Sequence, residues 1–267
     1  KPLAIGNFSV PTLTQISPLL SFGQLLIGEK GFLPELTGSY SRGDNSYDNV
    51  IIPNVIYGIR DDFSVFFSIP ISPRSRSGSS HSSGIRDIFL QLEYGFYAKS
   101  TSEYTLQATV VSNVQFPTGS NSKNLPTGTG SYSYFLGTTY AYMSYNWYAY
   151  ASTGVNLTTN HHRTKFGDSY LYQWGFARYI EQLSPQGWIF DLMIEFNGTF
   201  ANKDKIKGKT NPNSGGNVIF ATPSIWLSSN RWIFQFGISF PLLQKLNGHQ
   251  DKINYSINYN LGIGVQF

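Results

Sequence analysis

The chain contains no cysteine and few charged residues. The lack of cysteine excludes disulfide bonds and thiolate metal ligands. Charged residues make up 13% of the chain, whereas a soluble domain usually carries roughly 25%. No apolar run approaches the ~18 residues that a membrane-spanning helix needs. A typical soluble domain and a helical membrane span are therefore both disfavoured.

Aromatic residues are abundant instead. They make up 16% of the 267 residues, as 20 Phe, 18 Tyr and 5 Trp. A surface with few charges and many rings suits contact with lipid, with aromatic side chains at the membrane–water boundary.

The C-terminal segment alternates apolar and polar residues without interruption. From Ile253 to Phe267 every odd position is large and apolar or aromatic, and every even position is polar or glycine. Side chains on a strand point to opposite faces in turn, so this pattern predicts a strand with one apolar face. A helix would mix the two sets.

The same alternation recurs upstream, with apolar faces on 63–71, 88–96, 188–196 and 232–242. Most predicted strands exceed the ~9–11 residues that cross a bilayer on a tilt, whereas globular strands usually stop near about 5–6. We predict strands over 24–41, 48–60, 62–71, 84–99, 103–116, 132–145, 147–158, 165–180, 187–201, 217–228, 231–243 and 252–267.

Connections between these strands alternate in length. Short turns, such as Thr101 and Asn230, alternate with longer loops rich in Gly, Ser, Asn, Pro and Lys. This is the pattern of short periplasmic turns and long extracellular loops. We predict an all-β fold, a transmembrane antiparallel up-and-down barrel of about 12 strands. The predicted outer loops are 42–47, 72–83, 117–131, 159–164, 202–216 and 244–251.

The domain organisation follows from where alternation begins. Residues 1–20 contain Pro2, Pro11 and Pro18 and do not alternate cleanly, whereas 21–267 form the predicted barrel. The first 20 residues are either a mobile periplasmic tail or a segment tucked into the lumen.

Several short motifs resemble a known family. The chain ends on Phe267 with apolar residues at alternate positions, which resembles the signature read by outer-membrane assembly machinery. A set of further motifs, taken in their order along the chain, resembles the outer-membrane channel family named for the meta-pathway of phenol degradation. The motifs are Pro53 to Asp61, Ile69-Pro70, Gly84 to Ile88, Gln91 to Tyr94, Val114 to Gly119 and Gly128 to Ser131.

This resemblance implies a twelve-stranded channel in the bacterial cell outer membrane that takes up small, often hydrophobic or aromatic molecules. We therefore expect a passive diffusion channel, with no enzymatic activity and no cofactor. The alternative is a structural or adhesive barrel with a plugged lumen. Expected partners are outer-membrane lipid, lipopolysaccharide, the barrel assembly machinery and a small-molecule solute.

Polar-face positions on the strands are candidates for lining the lumen. Charged groups within the membrane span avoid hydrocarbon, so the lumen is the favoured side. Glu93 and Glu195, on the fourth and ninth strands, should lie nearly across the barrel from each other. They would either shape permeation or form structural ion pairs. Arg86 and Arg178 have lipid-face parity. The candidates are Arg60, Asp87, Glu93, Gln173, Asp191, Glu195, Asn197 and Gln235.

The sequence gives little indication of catalysis, metal binding or nucleic-acid binding. All four histidines, His81, His161, His162 and His249, fall in predicted outer loops, so we expect no Ser-His catalysis and no metal site. Lysines at 203, 205, 207 and 209 follow one outer loop. They would either contact anionic lipopolysaccharide or solute, or simply be solvated. No dense basic face indicates nucleic-acid binding.

Overall fold

Twelve antiparallel strands form one closed barrel in the computed structural model, which describes residues 1–23, 26–161, 163–183 and 187–267. Each strand pairs with its neighbours in the chain, and β1 also pairs with β12 to close the tube. The strands are β1 (Gly31–Gly43), β2 (Ser46–Arg60), β3 (Phe63–Ser68 and Ile71–Ser77), β4 (Ser80–Ile85 and Ile88–Ser100), β5 (Tyr104–Phe116), β6 (Ser133–Ser144), β7 (Trp147–Thr158), β8 (Ser169–Gln182), β9 (Ile189–Ala201), β10 (Gly216–Ser228), β11 (Trp232–Leu246) and β12 (Ile253–Ile263 and Val265–Gln266).

The predicted alternation of faces is confirmed along β11. Trp232, Phe234 and Phe236 are exposed, while Ile233 and Gln235 between them are buried. The two sets lie on opposite faces because successive strand side chains alternate. One face of the barrel wall is therefore a continuous apolar surface, and the other points into the tube.

Four of the predicted outer loops contain strand residues. Of 42–47 only residues 44 and 45 lie outside β1 and β2, and β11 continues to Leu246 within 244–251. Residues 72–83 form a hairpin in which β3 continues through Ile71–Ser77 and β4 begins at Ser80–Ile85. The sequence there is rich in Ser and Arg and lacks alternating apolar residues, so the alternation did not predict strands in this hairpin. The hairpin turns at Gly78, whose φ of 59° lies in the left-handed region that glycine tolerates. Within 202–216, Lys205–Ile206 pairs with Lys209–Thr210.

The start of the first predicted strand was wrong. Strand pairing begins at Gly31, and residues 26–30 are irregular. Likewise β8 begins at Ser169 rather than at residue 165. Parts of three predictions, the strand start at 24–25, His162 and the turn residues 184–186, lie outside the described residues.

The barrel has two distinct ends. The "short-turn end" carries the turns after β2, β4, β6, β8 and β10, and the "long-loop end" carries the other connections together with the hairpin of β3 and β4. Helical structure among the described residues is limited to two 3₁₀ turns, Gly6–Phe8 and Thr12–Thr14. No helix in the described part of the chain is long and apolar enough to cross a membrane.

Candidate functional site

The inner wall of the barrel is polar and closely covered. Hydroxyl, amide and carboxyl side chains from most strands point inward, yet almost none of their surface is reachable by solvent. Something other than water therefore fills the tube at their level. The buried inward-facing set includes Ser64, Gln91, Glu93, Thr109, Thr139, Ser152, Gln173, Asp191, Glu195, Thr222, Gln235 and Asn258.

The segment before β1 occupies this space. We call residues 1–23 and 26–30 the N-terminal segment. Its backbone bonds wall residues on well-separated strands: Ile27 N donates to Ser64 Oγ at 3.0 Å on β3, and Gln235 Nε2 on β11 donates to Ser17 O at 3.4 Å. Strands so far apart around a closed tube can be reached by one segment only through the interior.

Glu195 on β9 is the central anchor of the N-terminal segment. Its Oε2 accepts a hydrogen bond from Leu19 N at 3.2 Å, and its Oε1 accepts one from Leu20 N at 3.4 Å. Tyr150 on β7 donates its hydroxyl to Oε1 at 2.7 Å. Hydrogen bonds to a carboxylate are stronger than those between neutral groups. A buried carboxylate thus ties the segment to the wall.

Gln173 on β8 provides the next anchor. Its Oε1 accepts bonds from Ser21 Oγ at 2.9 Å and from Phe22 N at 3.3 Å. Ser21 Oγ also lies 3.2 Å from Ser152 Oγ on β7. The turn of the segment that lies deepest in the tube is therefore held by side-chain hydrogen bonds rather than by strand pairing.

Two further contacts fix the same turn. Gln91 Nε2 on β4 donates to Phe22 O at 2.9 Å, and the Phe22 ring packs edge-on against Phe135 with centroids 4.5 Å apart. Gly23 passes so close to Thr139 that a Cβ would lie 1.9 Å from its Oγ1. Only glycine fits there without moving the segment.

Apolar residues of the N-terminal segment close the short-turn end. Leu13 and Ile16 join a buried cluster with Tyr148, Trp226 and Ile233 of the wall. At the turn after β6, Asn7 N donates to Tyr145 O at 2.9 Å and Asn7 Nδ2 donates to Ser144 O at 3.1 Å. The segment is thus a plug with an apolar base and a hydrogen-bonded tip.

Glu93 on β4 and Glu195 on β9 lie five strands apart around the closed barrel. Glu93 accepts a hydrogen bond from Thr109 Oγ1 at 2.7 Å. Glu195 is bonded instead by Tyr150, Leu19 and Leu20. The two buried acids therefore have separate hydrogen-bond partners.

Asp191, Asn197 and Gln235 have incomplete hydrogen bonding within the described part of the chain. Asp191 is fully buried beside Trp226, its register partner, and neither carboxyl oxygen has a partner. Both side-chain polar atoms of Asn197 and the Oε1 of Gln235 are also unsatisfied. These positions leave polar atoms directed at the plug region without protein ligands.

Asp87 organises a loop at the long-loop end and does not line the tube at mid-height. It lies between the two segments of β4 and accepts bonds from Gly119 N at 2.9 Å, Thr129 N at 2.7 Å, Thr129 Oγ1 at 2.8 Å and Gln115 Nε2 at 3.2 Å. One carboxylate therefore draws both ends of loop 117–131 together.

Arg60 lies at the short-turn rim, outside the lumen. Its Nε donates to Asp62 Oδ1 at 2.8 Å and its Nη2 to Asp62 Oδ2 at 2.7 Å. The hydrogen bond from Arg60 lowers the pKa of Asp62. Both side chains are largely exposed, so this pair orients the turn and contributes little stability.

A cavity of about 330 Å³ opens at the long-loop end. Arg86 lines it and forms an ion pair with Asp48, and its guanidinium also reaches Ser72 and Ser75. The expectation that Arg86 faces lipid was wrong. The break between the β4 segments shifts the side-chain parity, so Arg86 turns inward with Asp87.

The residues that sequence reasoning missed are those of the plug tip, Leu19 to Phe22, and their partners Tyr150 and Ser152. Irregular backbone has no period, so no sequence signal indicated where it would bind. The prolines of residues 1–20 indicated only that the first strand begins after this segment.

A closed barrel of long strands with an exposed apolar wall, an even strand count and short turns at one end defines an outer-membrane β-barrel. More specifically, the chain belongs to the family described as the putative MetA-pathway of phenol degradation, whose model matches residues 35–245. The resemblance inferred from the motifs is thereby confirmed.

Two solved structures share the fold. The outer membrane channel COG4313 of Pseudomonas putida F1 superposes with a TM-score of 0.76 at 15% identity, covering 94% of this chain and all of that one, 100%. The NanC porin superposes with a TM-score of 0.51 at 8% identity, covering 88% and 100%. No curated protein sequence matches this one.

Proposed function

We propose that the protein is a channel for passive diffusion of small molecules, including hydrophobic or aromatic ones, across the outer membrane. The family match carries this proposal, because it spans 35–245 and therefore most of the barrel. The fold agrees, since the similar solved structures are an outer-membrane channel and a porin. The cavity of about 330 Å³ at the long-loop end suits a small solute, being near the lower bound of roughly 300 Å³ for ligand pockets.

Passage requires the plug to move. The inner wall at the level of Glu195 and Gln173 is covered by the N-terminal segment, so a solute that leaves the cavity meets the plug tip. The tip is bonded through a few wall side chains at 2.9–3.4 Å and by no strand pairing. Displacing it costs several hydrogen bonds, which water or solute replaces in part.

A locked plug tests this gate. The chain has no cysteine, so Ser21→Cys with Ser152→Cys introduces one defined pair at an Oγ–Oγ separation of 3.2 Å. Oxidation should abolish single-channel conductance in planar bilayers, and reduction should restore it, because the disulfide ties the tip to β7. The measurement is the opening rate and amplitude of one channel before and after reductant.

The matched control ties wall to wall. Thr222 Oγ1 and Ser239 Oγ on β10 and β11 lie 2.8 Å apart, and Thr222→Cys with Ser239→Cys leaves the plug free. This control should conduct in both redox states. A locked plug that conducts unchanged would contradict gating by the segment. Absence of conductance from the native chain and from the reduced variant would favour the structural or adhesive barrel with a plugged lumen.

Two further partners would contact residues at different ends of the barrel. The exposed Phe267 and the alternating apolar positions before it would be recognised by the assembly machinery. Lys205, Lys207 and Lys209 are exposed on the small hairpin of the long-loop end, where they would contact lipopolysaccharide phosphates. Substituting these three with Gln should weaken lipopolysaccharide co-purification, and unchanged co-purification would exclude that role.

A further inference from the structure

The outward face of β6, β7 and β8 contains an apolar groove. Two neighbouring outward positions of β7 are Ala149 and Ala151, whereas the adjacent strands place large side chains beside them. Tyr140 and Trp174 flank Ala151, and Tyr142 and Phe176 flank Ala149 by strand register. The alanines form a floor, and the rings form two walls.

The groove has the width and lining of a hydrocarbon site. Its walls stand two strand spacings apart, about 9–10 Å between backbones. The groove belongs to a cavity of about 770 Å³ that continues over Phe96 of β4 and Leu106 of β5, and the lining is almost entirely apolar.

A positively charged side chain lies beside the end of the groove that is nearer the short turns. Trp147 lies two residues from Ala149 on the same face of β7, towards the short-turn end. The Arg178 guanidinium lies 5.2 Å from the Trp147 ring centroid. Arg178 pairs with Trp147 across the strands and forms no salt bridge with any residue in the described ranges. A cation without a carboxylate partner thus marks one end of an apolar groove.

We propose that this groove is a binding site for one phospholipid of the periplasmic leaflet. An acyl chain lies over Ala149 and Ala151 between the aromatic walls, and Arg178 donates hydrogen bonds to the phosphate. The short-turn end faces the periplasm in outer-membrane barrels, which places the groove in that leaflet. The guanidinium fork matches phosphate geometry, and the unpaired charge beside the groove distinguishes a phospholipid from an uncharged solute. The site does not depend on conduction.

Native mass spectrometry of the whole chain tests the site. Protein folded in detergent is mixed with phosphatidylglycerol, and the bound lipid is counted as detergent is stripped. Arg178→Gln should weaken retention about fivefold, as expected for the ~1 kcal/mol that one basic residue contributes at a membrane surface. Ala149→Leu with Ala151→Leu should abolish retention because the side chains fill the floor.

Matched variants separate this site from ordinary lipid contact. Ala221, which Phe196 and Phe240 flank by register, has no adjacent cation, and Arg231 is a rim arginine away from the groove. Ala221→Leu and Arg231→Gln should retain lipid like the native chain. The proposal would be overturned if all variants retained lipid equally, or if the control variants lost it as readily as the groove variants. It would also be overturned if decane filled the groove and Arg178→Gln had no effect on lipid retention. Heat-modifiability on gels verifies that each variant is folded.

Discussion

At the scale of single residues, two buried carboxylates on β9 have opposite surroundings. Glu195 accepts hydrogen bonds from Leu19 N, Leu20 N and the Tyr150 hydroxyl, whereas Asp191 has no partner for either oxygen among the described residues. A buried polar group stabilises the fold only when it is satisfied. The two acids should therefore respond oppositely to substitution.

Glu195→Gln should lower the free energy of unfolding by about 1–3 kcal/mol, the usual cost of leaving one buried donor unsatisfied. The amide nitrogen cannot accept a hydrogen bond, so one of the donors loses its acceptor. Urea unfolding in lipid vesicles measures the loss. A variant as stable as the native chain would mean that the plug tip is not held by Glu195.

Asp191→Leu should instead raise the free energy of unfolding by about 1–3 kcal/mol, because it removes an unsatisfied buried group and keeps the branched shape of the side chain. The neighbouring Trp226 and Ile189 already make the site apolar. The same titration measures the gain. Destabilisation would show that Asp191 has a partner in solution, such as an ordered water or ion.

Phe236→Arg should destabilise the barrel by about 2–4 kcal/mol if the residue lies near the bilayer midplane. Its side chain is exposed on the apolar face of β11. The matched change Trp232→Arg, four residues closer to the short-turn end, should cost only about 0–1 kcal/mol because interfacial arginine reaches water. Equal losses would place the two residues at the same membrane depth.

At the scale of elements, loop 117–131 depends on one side chain outside it. Asp87 accepts bonds from Gly119 N, Thr129 N and Thr129 Oγ1, and Lys123 Nζ donates to Ser83 O at 2.6 Å. The loop has no regular secondary structure. Its fold over the cavity therefore follows from these few bonds.

Asp87→Ala should release this loop and speed tryptic cleavage after Lys123, since three backbone or hydroxyl donors lose their acceptor. The control Asp168→Ala removes a comparable acid from another loop, where Asp168 bonds Thr158 N at 2.9 Å and Lys165 Nζ at 2.8 Å. That control should leave cleavage after Lys123 unchanged. Equal acceleration in both variants would indicate general destabilisation rather than local release.

At the scale of the whole molecule, the topology predicts which residues face the cell exterior. Cysteines placed at Ser79, Ser122, Lys205 and Gly248 should react with an impermeant thiol reagent on intact cells, because all four lie at the long-loop end. Cysteines at Thr101 and Asn230 should react only after the outer membrane is permeabilised. The native chain has no cysteine to confuse the labelling. Reversed labelling would mean an inverted barrel.

The sequence by itself determined the wall of this barrel. Alternation along 232–242 and 253–267 predicted which side chains face lipid, and the exposure of Phe234, Phe236 and Tyr259 agrees. Length, period and turn composition predicted the strand number, and the resemblance of the ordered motifs indicated the family. These features are local or repeat at every second residue, so one strand reveals its own orientation without reference to others.

Only the tertiary structure decided what occupies the tube. The bonds of Leu19, Leu20 and Ser21 join residues more than 130 positions apart to Glu195 and Ser152, and irregular backbone has no period that indicates its partner. The same limit hid the inward turn of Arg86, because Arg86 lies in the break between the two segments of β4, where the alternation is interrupted. The groove of β7 also emerged only from register, since Ala149 and Ala151 become a floor when Tyr140, Tyr142, Trp174 and Phe176 are paired beside them.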